Sequence, residues 1–124
     1  MPLLPPLDRT PSPPLVPGEP PIDLAHLARM TLGDGALRRE VLGMFLNQSR
    51  DLLDRLAARP SEGAALAHTL KGSARAIGAF GVAACAEAVE GVIRQGGDPS
   101  HAMADLKAAI AAADGSIQLI LAQP

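Results

Sequence analysis

The chain has 124 residues, a formal charge of -2 and 48% apolar residues, with Phe45 and Phe80 as its only aromatics. That length suits one packed domain. The near-neutral charge argues against a general nucleic-acid binder, which needs a basic surface to displace counterions, and the shortage of β-branched and aromatic residues favours helices over sheets.

Cys85 is the single cysteine, which excludes an internal disulfide and a cysteine zinc cluster and fits a reducing compartment. No apolar run approaches the roughly 18 residues that span a bilayer. The N-terminus lacks the basic-then-apolar order of a signal peptide. A cytoplasmic monomer with no membrane association is therefore expected.

In chain order, residues 1–21 carry nine of the twelve prolines. Prolines remove amide donors and fix φ, so this stretch is expected to be a disordered, proline-rich tail. A folded domain is expected over 22–124. Asp23 can cap a short first helix through Leu24, Leu27 and Ala28, closed by Gly33. Asp34 then caps a second helix with Leu37, Val41, Phe45, Gln48, Leu52 and Leu56 along one face, running to about Ala58. Pro60 suits the first turn of a third helix that ends near Gly78. A fourth buries Val82, Ala86, Val89 and Ile93 and stops at Gly96-Gly97. Asp98-Pro99 opens a fifth, with Met103, Leu106, Ile110, Ala113, Ile117 and Leu121 at three-four spacing. Long amphipathic helices joined by short turns predict an all-α fold, an antiparallel four-helix bundle with a short additional N-terminal helix.

The third helix carries the chemistry. At about 100° per residue, Leu66, Leu70, Ser73 and Ile77 lie opposite His68, which therefore points away from the core. Ser61, Ala64, Lys71, Gly72 and Arg75 share its side. An ordinary imidazole titrates near pH 6.5, so at neutral pH most of it offers a free nitrogen lone pair. Lys71 and Arg75 can lean toward a phosphoryl group on that nitrogen and offset its charge. Gly72 costs about 1 kcal/mol relative to alanine in mid-helix, and its place beside an exposed histidine has a steric reason: it clears the approach of a second protein.

Ala67-His68-Thr69-Leu70-Lys71-Gly72-Ser73, followed by Ile77-Gly78-Ala79, resembles the signature of histidine-containing phosphotransfer (HPt) domains of bacterial multistep phosphorelays. The likeness runs without a gap through Glu90, and the helix order from Ile22 to Leu121 is similar. It implies a four-helix bundle in which His68 is phosphorylated, Lys71 sits near the phosphate and Gly72 keeps the surface open. Ser73 matches a usual small residue, read as inward packing, and Gly78 the glycine that ends the helix. Glu90 stands where the family often places Gln or Glu to hold one ring nitrogen. Accepting from Nδ1-H, it would leave Nε2 as the nucleophile. Pairing with Arg94 at i+4 is an equal alternative.

No Gly-rich phosphate loop, kinase motif or Mg²⁺-holding carboxylate cluster is evident in the sequence. The chain is expected to be a phosphocarrier without kinase activity, cofactor or metal of its own. The implied partners are a hybrid sensor histidine kinase and a response-regulator receiver domain, the latter bringing Mg²⁺ and an aspartate. His68 would enter that partner's pocket, bordered by Ala64 and the end of the first helix. Two other functions fit the same surface: a non-phosphorylated module that binds and inhibits a receiver or kinase, and a detached phosphotransfer domain like that of chemotaxis kinases. His26 and His101 sit near helix starts without partners for a metal site. Cys85 reads as a small core filler, and Arg38, Arg39, Arg50 and Arg55 as a solvated face.

Overall fold

The computed structural model describes residues 20–123, so all but the last two positions of the expected tail lie outside the described residues. Those residues form helices and no strand: α1 (Leu24–Met30), α2 (Gly35–Ala58), α3 (Gly63–Ile77), α4 (Phe80–Arg94) and α5 (Ser100–Leu121). Each of the four long helices packs on its neighbour in sequence, and α2 also meets α5, closing a ring. The core between them is built mainly from aliphatic side chains and alanine, Leu42, Leu70, Val89, Leu106 and Ile117 among them, with Phe45 and Cys85.

Local chemistry explains where the helices begin and end. Asp23 accepts from the His26 amide, and Asp34 from those of Ala36 and Leu37, so both act as N-caps. Asp98 accepts from the amide and the hydroxyl of Ser100, where α5 begins. Gly78 ends α3 in the left-handed region at φ 87°, its amide turned back to Ala74 and Arg75. A Cβ there would lie 2.9 Å from the Asp23 carbonyl. Only glycine lets the chain before α1 come so close, and the Asp23 amide uses that approach to donate to the Gly78 carbonyl at 2.9 Å. Ile22, 1% exposed, joins the core beside this junction.

Three details differ from the sequence reading. Pro60 opens a separate 3-10 turn, Pro60–Glu62, and α3 proper starts at Gly63. At that start a Cβ on Gly63 would meet the Ile93 side chain of α4 at 2.7 Å, so the glycine lets the first turn of α3 lie close against its neighbour. On α2 the buried row is Leu42, Phe45, Ser49, Leu52 and Leu56, while Gln48 is exposed. Ser49 can be buried because its hydroxyl donates back to the Leu46 carbonyl; a glutamine amide has no such local partner. Arg39 leaves its expected solvated role and donates to the carbonyls of Leu121 and Gln123, capping the far end of α5.

α3 and α4 form the most extensive pairing. Ala67 and Ala74 on one helix and Ala83 and Ala86 on the other are all buried, and small residues at a contact let helix axes approach closely. Where the same four-sided ring ends, Leu56, Pro60, Gly63, Ile93, Pro99 and Met103 help to line an open apolar recess of about 340 Å³.

Candidate functional site

The α3–α4 seam emerges at the surface around two side chains from α3 and two from α4. His68 projects from α3 with its side chain 62% exposed, while Glu90 of α4 lies almost wholly beneath it, 11% exposed. His68 Nδ1 is 3.1 Å from Glu90 Oε2 and 3.3 Å from Oε1. Lys71, one turn along α3, folds down so that Nζ is 3.1 Å from Oε1. Arg94, one turn along α4, reaches back with Nε at 3.0 Å and Nη2 at 2.9 Å from Oε2. Glu90 thus makes the imidazole contact and the Arg94 pair that sequence spacing left as alternatives, and holds Lys71 as well.

These partners hold the Glu90 carboxyl down at about 2. The hydrogen bond from Lys71 is the largest cause and exceeds burial, which pushes the other way; the bond from Arg94 and the charges of Lys71 and His68 lower it further. An ionised carboxylate only accepts hydrogen bonds. The ring nitrogen facing it must then carry the proton, which assigns the neutral imidazole its Nδ1-H tautomer and leaves the lone pair on Nε2. Nε2 has no hydrogen-bond partner among the described residues. The site therefore presents an exposed, oriented nitrogen nucleophile on a base of compensated charge.

Gly72 lies on the exposed side of α3, and a Cβ there would meet nothing within 4 Å. Nothing inside the fold requires its missing side chain. Ala64 and Ser73 are half-buried on α3. Arg75 points its guanidinium to Glu87, Nη2 to Oε1 3.6 Å, rather than into the Glu90 cluster. Gly78 is ten positions beyond His68, about 15 Å along the helix, and its contacts are with the chain before α1.

The remaining histidines stand apart. His26 Nε2 lies 3.2 Å from the Ala76 carbonyl at the end of α3, with its ring edge-on to Phe80, and His101 faces Asp105 one turn along α5. Among the described residues no three His, Cys, Asp or Glu side chains converge as on a metal ion, and no helix is long and apolar enough to cross a membrane. Cys85 is buried, and burial pushes its thiol pKa up, which suits a packing role. Arg94 is the site residue that sequence reasoning did not place: its i+4 spacing from Glu90 was visible, but not that the carboxylate it holds is the one facing His68 Nδ1.

Comparison with known families places the sequence model of the Hpt domain over residues 40–116, a span that holds His68, Lys71, Gly72, Glu90 and Arg94. No curated protein and no solved structure matches the chain.

Proposed function

The chain belongs to the Hpt domain family, and from that premise we propose that it carries a phosphoryl group on Nε2 of His68 within a two-component phosphorelay. It takes the group from the receiver aspartate of a hybrid sensor histidine kinase and delivers it to the aspartate of a response regulator. The observation that carries this reading is the pairing of an exposed imidazole with a buried, ionised Glu90 at 3.1 Å, which leaves Nε2 free and turned outward.

In the acceptor step the Nε2 lone pair attacks phosphorus. The N–P bond forms as the bond from phosphorus to the aspartyl oxygen breaks, and that bonding pair returns to the aspartate as carboxylate. The ring keeps its Nδ1 proton and becomes a phosphoimidazolium whose added positive charge faces Glu90. Developing charge on the phosphoryl oxygens calls for a metal and cations; the Mg²⁺ comes with the acidic pocket of the receiver. Gly72 leaves room for that pocket to close over His68, and the four long helices, read as an antiparallel four-helix bundle, serve as a rigid mount. The protein acts as a monomer in the bacterial cytoplasm and has no kinase activity of its own.

Mixing the protein with a phosphorylated receiver domain and Mg²⁺ tests the proposal. The expected product carries an acid-labile, base-stable phosphoryl group on His68, and His68→Gln reduces labelling to background. Labelling undiminished in that variant overturns the assignment. Tight receiver binding with no labelling of the wild-type chain would instead identify an inhibitory module.

A further inference from the structure

We propose that Arg94 is a positioning residue for His68, acting through Glu90: it pins the carboxylate against Nδ1 and offsets its charge, so that the ring stays oriented with its lone pair on Nε2. The proposal rests on His68 being the phosphoryl acceptor.

A carboxylate beside an imidazole has two effects that pull against each other. It fixes the tautomer by accepting from Nδ1-H, and it stabilises the imidazolium, whose nitrogens have no lone pair left to attack phosphorus. Orientation depends on where the oxygen sits. Basicity depends on the charge summed around the ring. Two cations on one carboxylate separate these effects, because Lys71 and Arg94 together carry one more positive charge than Glu90 carries negative.

Their placement divides the work. Lys71 shares α3 with His68 and binds Oε1. Arg94 shares α4 with Glu90 and sets two of its nitrogens, at 3.0 and 2.9 Å, on Oε2, the oxygen nearest His68 Nδ1. Arg94 therefore fixes the carboxylate relative to the carboxylate's own helix. An i+4 pair of this polarity is mildly favourable on any helix surface. Here its acceptor is 11% exposed and already shared with the histidine, which a surface pair would not require.

The other charged groups near this seam are committed elsewhere. Arg75 pairs with Glu87, and His26 of α1 is bonded to the Ala76 carbonyl. Among the described residues no ion pair joins a charged side chain of α1, α2 or α5 to His68, Lys71, Glu90 or Arg94.

The test uses the full chain as wild type, Arg94→Gln and Arg94→Lys. The His68 ring nitrogens are followed by NMR from pH 5 to 9, beside pH–rate profiles for transfer from a phosphorylated receiver. In Arg94→Gln the His68 ring is expected to lose part of its Nδ1-H preference, because the carboxylate that accepts from Nδ1 is no longer fixed. Transfer at neutral pH should fall with it, about two- to threefold, while Arg94→Lys returns both toward wild type. A tautomer population in Arg94→Gln that coincides with wild type overturns the proposal, as does one in Arg94→Lys that stays with Arg94→Gln. Wild-type protein that holds the Nδ1-H tautomer but accepts no phosphoryl group overturns the transfer reading, and with it the catalytic meaning of Arg94, while the tautomer in Arg94→Gln still decides whether Arg94 orients the ring.

Discussion

Glu90 at the α3–α4 seam and Asp114 at the α2–α5 seam are both carboxylates withdrawn from water, their side chains 11% and 20% exposed. Glu90 has a partner for each oxygen and three different residues around it, and its carboxyl is held down at about 2. Asp114 has Arg50 at 3.7 Å from one oxygen, while the other is buried with no hydrogen-bond partner, and burial pushes its pKa up. The two seams belong to the same ring of helices, so burial alone does not separate them. Donors do: two small-residue helices approach closely enough for Lys71, Arg94 and His68 to meet one side chain, whereas Arg50, the one cation beside Asp114, stops 3.7 Å short of it.

If that contrast reflects function, the largest difference is in phosphoryl transfer. Glu90→Ala frees the imidazole to rotate and leaves Lys71 and Arg94 facing one another, and should slow transfer about tenfold to a hundredfold. Asp114→Asn should leave the rate unchanged. Equal losses in the two variants, measured by single-turnover transfer from one receiver, would erase the distinction.

Acid unfolding separates the two acids next. The native pKa of Glu90 lies below its ordinary value, so its contribution to stability is complete above about 4.5 and is lost as pH falls toward about 2. Asp114 has the opposite sign. Its native pKa lies above the ordinary 3.8, so its penalty is present at neutral pH and is relieved as pH falls through the raised value. Urea midpoints recorded at several pH values should fall less steeply between pH 4.5 and 2 in Glu90→Gln than in wild type.

At neutral pH the same reasoning makes Asp114→Asn stabilising, by up to about 1 kcal/mol, because an ionised group with an unpaired buried oxygen is replaced by a neutral one. A lower urea midpoint in that variant would show that Arg50 contributes more than its distance suggests. A comparable effect concerns Gly72. With nothing near its absent Cβ, Gly72→Ala should raise stability by up to about 1 kcal/mol through helix propensity, whereas Gly72→Leu should stay folded yet slow transfer to a receiver.

Much of this was legible in the residues, for local reasons. Asp23, Asp34 and Asp98 announce helix starts because a short acidic side chain can reach only the next two or three amides. Gly78 announces an end because few other residues accept its φ. His68 and Lys71 could be placed on one face by counting. What stayed hidden depends on contacts between elements. Whether Glu90 served His68 or Arg94 turned on the register of α4 against α3, which periodicity does not set. Arg39 reads as one more surface cation until the end of α5 is folded beside it. Gln48 and Ser49 compete for one inward position, and the serine hydroxyl wins by bonding its own helix.

The contact between Asp23 and Gly78 also has a use. Among the described residues it is the one backbone hydrogen bond that joins elements distant in sequence. Helical amides are protected by bonds within their own helix and exchange when that helix frays or the whole domain opens. The Asp23 amide is protected by the seating of α1 alone, so its exchange with deuterium should report the lifting of α1 as an event separate from global unfolding. A single backbone resonance would then time the opening of the short helix while the four long ones remain closed.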